Sequence, residues 1–165
     1  MKPIVLSIVL LLTFALPASA QVLSFGAGAD VTFPSSDLKD NVATGYGLTA
    51  LAKFGLIPLI DLTGGVEYIK FTDKDITVNN LTATGNGSAF GIVLGGRVNV
   101  LAIAYAGLET GTYSFSKTAG SETTNITRGF LGPMVGVKLS MFDICARYVS
   151  ADKDSFWGLR GLIWF

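Results

Sequence analysis

Histidine is absent from this chain, and charged residues are scarce. The 165 residues include a single cysteine, Cys145, and 15% are charged, against about 25% in a typical soluble domain. Without histidine the chain lacks the commonest general base and metal ligand at neutral pH. One cysteine excludes an internal disulfide framework. We therefore expect neither an enzyme nor a bound cofactor or metal ion.

The charges that are present balance each other. Lys plus Arg number 12, and Asp plus Glu also number 12. Removing Lys2 with the leader described below gives 11 − 12 = −1 for the remaining chain. This balance provides no electrostatic basis for binding nucleic acid, which requires an excess of positive charge.

The first twenty residues have the pattern of a secretory signal peptide. Lys2 is followed by an apolar run over residues 4–16 and by the A-x-A sequence at residues 18–20. A transmembrane anchor is the alternative, but the run is short for a bilayer span and Pro17 ends it. We therefore predict a signal peptide over residues 1–20 and one exported domain over residues 21–165.

From residue 21 onward, apolar residues recur at every second position, which is the signal of β-strands. Polar loops at residues 34–43, 73–87, 116–126 and 151–154 alternate with short turns. This order predicts an all-β fold, an eight-stranded antiparallel up-and-down barrel with short turns at one end and long loops at the other. The predicted strands lie at residues 22–33, 44–55, 60–72, 88–99, 101–115, 127–141, 144–148 and 157–165.

Each predicted strand has one apolar and one more polar face, and two kinds of barrel fit this pattern. A lipocalin-like secreted barrel points its apolar face inward around a ligand, whereas a membrane barrel points it toward lipid. The polar face consists mainly of small residues with isolated charges, which suits a narrow lumen filled by side chains better than a solvated surface. We therefore predict a transmembrane barrel with a network of paired lumen charges: Asp30, Lys53, Asp61, Glu67, Arg97, Arg128, Lys138, Arg147 and Arg160.

The fifth strand contains an ambiguity. Continuing the alternation of Leu101, Ile103 and Tyr105 places Glu109 on the apolar face. Either Glu109 lies at the edge of the membrane, or a bulge near Gly107 changes which side chains face inward. The sequence leaves both alternatives open.

The last strand carries the most specific feature, with apolar Trp157, Leu159, Ile163 and Phe165 on one face and Arg160 on the other. With the leader and the eight alternating strands, this ending resembles the small outer-membrane β-barrels of Gram-negative bacteria, of the OmpA transmembrane-domain and OmpX type. The resemblance implies that these four apolar residues form the signal read by the barrel-assembly machinery. It also implies a monomer in the outer membrane, in contact with lipid and lipopolysaccharide.

The resemblance implies a structural or surface-interaction role through the extracellular loops, with an unidentified surface ligand. Two alternatives remain: a secreted lipocalin-like barrel that binds an apolar ligand, and a small-solute channel through the charged lumen. Aromatic residues at the loop ends of the strands, Tyr46, Tyr68, Phe90, Tyr148 and Trp157, are typical of an interfacial girdle.

Overall fold

The computed structural model describes residues 23–165 apart from residues 79–80, 102 and 120–121. The predicted signal peptide lies outside the described residues. Within the described ranges, no helix has the length and apolar character needed to cross a membrane. The elements are β1 (Leu23–Ser36), α1 (Leu38–Asn41), β2 (Gly45–Ile57), β3 (Ile60–Val78), β4 (Leu81–Asn99), β5 (Ala104–Ala119), β6 (Glu122–Leu139), β7 (Phe142–Val149) and β8 (Asp154–Trp164).

The eight strands form one closed antiparallel barrel. Each strand pairs with the next along the chain, and β8 pairs back onto β1. Backbone hydrogen bonds of 3.0 and 2.8 Å between Phe25 and Phe165 extend this closing ladder. Closure satisfies the hydrogen-bonding groups that an open sheet would leave at its edges. The predicted eight-stranded up-and-down barrel is confirmed.

Side chains alternate between outside and inside, and the apolar ones of the barrel wall lie mostly outside. Leu48 is 70% exposed and Ile92 is 54% exposed, whereas Glu67 and Arg97 are each 1% exposed. This orientation is opposite to that of a barrel that holds an apolar ligand inside. We call the outward apolar residues the outer belt; one from each strand in order is Phe25, Leu48, Val66, Ile92, Leu108, Val135, Ile144 and Leu159.

The two ends of the barrel differ in the length of their connections. Short turns at residues 58–59, 100–103 and 140–141 lie at one end. At the other end, two predicted loops, residues 73–87 and 116–126, are mostly strand. β3 and β4 stay paired as far as Val78 and Leu81, and β5 and β6 as far as Ala119 and Glu122. These segments are rich in threonine, whose branched side chain favours extended backbone.

The extended strands form a four-stranded sheet beyond the barrel, which we call the protruding sheet (residues 72–78, 81–87, 116–119 and 122–130). The β2–β3 ladder ends at Phe71, seven residues before β3 ends, so this hairpin extends about 20 Å past the barrel wall. On the opposite side, β6 pairs with β7 only from Met134, with one further bridge between Leu131 and Ser150. Among the described residues, β6 therefore has no ladder partner on this side over residues 122–130.

The fifth strand resolves the ambiguity at Glu109 in an unexpected way. Leu101 and Ile103 belong to the turn, and β5 begins at Ala104 with Tyr105 facing inward, 2% exposed. Glu109 shares this inward face, and the ladders on both sides run through Gly107 without a register shift. The predicted outward position of Tyr105 is wrong, and so are both alternatives for Glu109. The turn is longer than predicted, so the positions of β5 that face inward are shifted by one residue from the predicted ones.

Two local predictions also need correction, the end of the first strand at residue 33 and the turn before residue 144. Pro34 does not end β1: it stays paired with Phe156 in β8, on the side where β2 has already separated. Asp143 is not in a turn, because β7 begins at Phe142 and places the Asp143 side chain in the lumen.

Candidate functional site

The middle of the lumen holds five buried charged side chains from five strands. We call Asp30, Glu67, Glu109, Arg147 and Arg160 the central ion cluster; each is at most 2% exposed. They meet because every second residue of a strand faces inward and the closed sheet brings these strands around one axis. The cluster combines the predicted charges Asp30, Glu67, Arg147 and Arg160 with Glu109, whose position was left open.

Both arginines contact all three carboxylates. Arg160 lies 3.1 Å from Asp30, 3.0 Å from Glu67 and 2.6 Å from Glu109. Arg147 lies 3.0 Å from Asp30 and 3.3 Å from Glu109, and it also pairs with Glu67. Such sharing compensates the high desolvation cost of burying charges.

Two hydroxyl groups complete the cluster. Tyr113 donates a 2.6 Å hydrogen bond to Glu67, and Thr49 donates one to Asp30. Since three carboxylates face two guanidinium groups, these neutral donors help to satisfy the surplus negative charge. The connected network indicates a fixed structural plug rather than a set of independent charges.

A second polar cluster lies closer to the short turns. Asp143 accepts hydrogen bonds from Arg97 at 2.7 Å, the Tyr105 hydroxyl at 2.6 Å and the Trp164 indole nitrogen at 3.1 Å. The Arg97 guanidinium also lies over the Tyr105 ring, 4.7 Å from its centroid. We call these four residues the Asp143 cluster. They close the lumen below the central ion cluster.

Toward the long-loop end the lumen is apolar, contrary to the predicted polar interior. Helix α1 folds over this end and buries Leu38, and Val42 follows it into the same space. The Tyr113 ring lies 4.8 Å from Phe130 and 5.6 Å from Phe156. We call this group the apolar plug: Leu38, Val42, Ile69, Phe71, Ala89, Val93, Tyr113, Phe115, Phe130, Val149, Ala151 and Phe156.

At the short-turn end the lumen widens into a cavity of about 820 Å³, which we call the vestibule. Predicted charges Lys53, Asp61 and Lys138 line it together with Asn99. Lys138 lies 2.8 Å from the Asn99 side-chain oxygen and 3.7 Å from Asp61. The Lys53 ammonium lies 4.5 Å from the centroid of the Trp164 ring. Trp164 thus contacts both sites: its indole nitrogen donates to Asp143, and its ring faces Lys53 in the vestibule.

The predicted lumen charges therefore do not form one network. They divide into the central ion cluster, the Asp143 cluster with Arg97, the vestibule, and Arg128 alone at the long-loop end. Arg128 contacts Asp152 at 2.5 Å and Asp154 at 3.2 Å, outside the narrow part of the lumen.

Besides Tyr105, two lumen residues of the polar clusters were not recognised in the sequence. Asp143 was interpreted as part of a turn with Phe142, but its alternation with Cys145 and Arg147 is a signal that would have placed it inside. Tyr113 is aromatic and was not expected inside; only its spacing of four residues from Glu109, two repeats of the strand period, indicates its direction. Within the described part of the chain, no group of three or more Cys, Asp and Glu side chains is arranged to hold a metal ion.

The residues predicted as an assembly signal all lie on the outer face of the barrel. Trp157, Leu159 and Ile163 alternate outward along β8, and Phe165 is the most exposed of them, at 77%. The Trp157 ring lies 4.8 Å from the Tyr148 ring on the neighbouring strand. Tyr46, Tyr68 and Phe90 are also exposed on the outer wall.

No protein-family model matches this chain, and no curated protein matches its sequence. Solved structures of similar shape exist. Ail, the attachment invasion locus protein of Yersinia pestis, is 12% identical with a TM-score of 0.53, covering 86% of this chain and 96% of Ail. The N-terminal β-barrel domain of Pseudomonas aeruginosa OprF is 9% identical with a TM-score of 0.53, covering 86% of this chain and 97% of that domain.

Neisserial surface protein A is 14% identical with a TM-score of 0.51, and the match covers 86% of this chain and 95% of that protein. All three are small eight-stranded outer-membrane barrels. At these identities the likeness concerns the fold. The resemblance found in the sequence is confirmed at that level: the chain has the fold of the small eight-stranded outer-membrane β-barrels.

Proposed function

We propose that the chain is an integral protein of the bacterial outer membrane, exported by its signal peptide, with a sealed lumen. The observation that carries this proposal is the outer belt, to which each of the eight strands contributes exposed apolar residues. A soluble protein rarely exposes an apolar surface of this extent, whereas a membrane barrel needs it to face lipid. Ail, which has the same fold, is an outer membrane protein whose backbone structure was determined in a phospholipid bilayer nanodisc.

Cell fractionation tests this proposal. We expect the protein expressed with its own leader to sediment with the outer membrane and to resist extraction by alkaline carbonate. Unheated samples should migrate differently from boiled samples on SDS gels, because the closed hydrogen-bonded barrel resists unfolding by detergent. A soluble periplasmic protein in the same cells serves as the control. Recovery of the chain with that control would favour the secreted lipocalin-like alternative.

The layers inside the barrel favour a closed lumen over a small-solute channel. The apolar plug, the central ion cluster and the Asp143 cluster follow one another along the axis. Helix α1 covers the long-loop end, with Leu38 only 1% exposed. The side chains of the eight strands thus fill the interior, as expected for a barrel of this strand number.

We further propose that the protruding sheet is the part that contacts other molecules at the cell surface. Its outer strand β6 presents an edge without a ladder partner over residues 122–130, as described above. Thr124, Asn125, Ile126 and Thr127 on this edge are exposed. An unpaired edge is a template onto which an extended peptide can add as a further strand. The surface ligand would therefore be an extended segment of another protein.

Shortening one hairpin at a time tests the role of this edge. Removing residues 117–124 and joining the paired residues Ser116 and Asn125 by an Asn-Gly turn deletes the tip of the hairpin with the first three residues of the edge, 122–124. The matched control removes residues 75–84 between Lys74 and Gly85, which shortens the other hairpin. We expect peptides selected from a random display library on the intact protein to lose at least about tenfold in affinity for the first variant only. Equal binding to the first variant and the intact protein would contradict the proposal.

The remaining expectations follow from membrane residence. We propose a monomer whose outer belt contacts lipid and lipopolysaccharide. Trp157, Leu159, Ile163 and Phe165 face outward on the strand that closes the barrel, so the assembly machinery could reach them before closure. This position supports their proposed role as the assembly signal.

A further inference from the structure

The vestibule is a built cavity whose function the barrel wall alone does not explain. Residues from all three short turns line it, among them Pro58, Ile103 and Met141, and the Trp164 ring forms its floor. Because the Asp143 cluster closes the lumen behind Trp164, the vestibule is a blind pocket rather than the entrance to a passage. The side chains around this pocket leave a volume of about 820 Å³ unfilled.

Among the side chains that face this pocket positive charge exceeds negative charge, whereas in the central ion cluster the carboxylates are in excess. Lys138 has Asp61 as a partner at 3.7 Å, and Arg97 behind the floor has Asp143 at 2.7 Å. Lys53 differs from them: in the described part of the chain no carboxylate lies within ion-pair distance of its ammonium. Its ammonium lies over the Trp164 ring instead. Two ammonium groups and one side-chain carboxylate thus face the same space.

A half-buried cation without a counter-ion has lost part of its hydration without compensation. Every other charge predicted for the lumen has an opposite charge beside it in this structure. We propose that the vestibule binds a phosphate group, with Lys53 as its principal cationic contact and Lys138 as the second. Ser24, Ser140 and Asn99 also line the pocket and supply hydrogen-bonding groups.

The walls of the pocket suit a ligand that carries more than the phosphate. Leu56, Ile57 and Met141 line the mouth with apolar surface, while the lysines lie further inside. The phosphate can come from free phosphate or phosphate ester in solution, or from a phospholipid headgroup at the membrane surface. The shared chemistry is the phosphate dianion or diester held by two ammonium groups.

The position of Lys53 over Trp164 provides a direct optical readout. Replacing the other tryptophan, Trp157→Phe, leaves Trp164 as the single tryptophan of the folded protein in detergent. We expect sodium phosphate to change its emission saturably, whereas sodium chloride at equal ionic strength does not. In this background Lys53→Gln should weaken binding at least about tenfold. The matched control Lys70→Gln removes an exposed lysine near the opposite end of the barrel and should leave binding unchanged.

A third variant makes the opposite prediction. Asp61→Asn removes the carboxylate that competes for Lys138, so phosphate should bind several-fold more tightly. Titration with a short-chain phosphatidylglycerol then distinguishes the sources: tighter binding than inorganic phosphate assigns the site to a lipid headgroup, and equal binding assigns it to a soluble phosphate. The proposal is overturned if chloride gives the same response as phosphate. It is equally overturned if Lys53→Gln and Lys70→Gln, both verified as folded by unheated gel mobility, bind phosphate alike.

Discussion

Replacing Arg147 with methionine should lower the free energy of unfolding by about 3–5 kcal/mol, the usual cost of leaving buried charge without its partner. Arg147 contacts Asp30, Glu67 and Glu109, and all three would then share Arg160 alone. Methionine retains much of the volume, so the loss would come mainly from uncompensated charge. Urea unfolding of the refolded protein, followed by gel mobility, measures the change.

The matched control is Arg128→Met at the long-loop end. Arg128 contacts one exposed carboxylate, Asp152, and one buried carboxylate, Asp154, whereas all three carboxylates around Arg147 are buried. We expect a loss well below that of Arg147→Met, because water can replace the partner of Asp152 and only one buried carboxylate loses a contact. If Arg147→Met does not refold, combining it with Glu67→Gln removes one of the uncompensated carboxylates. The double variant should then recover part of the folded fraction. Equal losses for Arg147→Met and Arg128→Met would contradict the structural role of the central ion cluster.

The second large effect concerns the outer belt. Leu48 lies on the outer wall at the height of the central ion cluster, because its neighbour Thr49 donates a hydrogen bond to Asp30. Leu48→Lys should therefore place a charge near the middle of the bilayer and reduce the folding free energy in lipid vesicles by about 2–4 kcal/mol. Denaturant titration of the protein in vesicles measures this loss.

A control substitution at the end of the barrel distinguishes an outer wall that faces lipid from one that faces water. Leu101 is as apolar as Leu48 and is also exposed, but it lies in a short turn at the end of the barrel. Leu101→Lys should cost only about 0–1 kcal/mol, because the charge lies at the interface. On the surface of a water-soluble barrel, both substitutions would be nearly neutral. A negligible effect of Leu48→Lys in vesicles would contradict membrane insertion.

The barrel and most inward charges could be predicted because the alternation of apolar and polar residues within one strand shows which side chains face inward. A single charge on a strand whose neighbours at two-residue spacing are small, such as Asp30 between Gly28 and Thr32, indicates an inward position without knowledge of any partner. Glu109 could not be placed this way. Its direction depends on where the turn after β4 ends, and Leu101 and Ile103 mimic strand residues although they belong to the turn.

The apolar plug and the protruding sheet escaped prediction for different reasons. Near the long loops the alternation is inverted: Phe71 and Phe115 face inward, whereas their neighbours Lys70 and Ser114 are exposed. The rule that apolar residues face lipid therefore gives the wrong direction at this end. What fills that end is decided by α1, which brings Leu38 over the opening, a tertiary contact between distant parts of the chain. The protruding sheet has the polar composition of a loop, and only the pairing of its strands with each other reveals the strand structure.

Pairing of β8 with β1 has a kinetic consequence. The contacts that it creates are among the longest in sequence, as between Asp30 and Arg160, which are 130 residues apart. The central ion cluster also requires β1 and β8 together with three strands between them. A barrel that lacks some of these strands can therefore neither close nor pair all of its buried charges. Proteins dominated by contacts between residues distant in sequence fold slowly. The chain should accordingly gain most of its stability in a single late step, when its last strand meets its first.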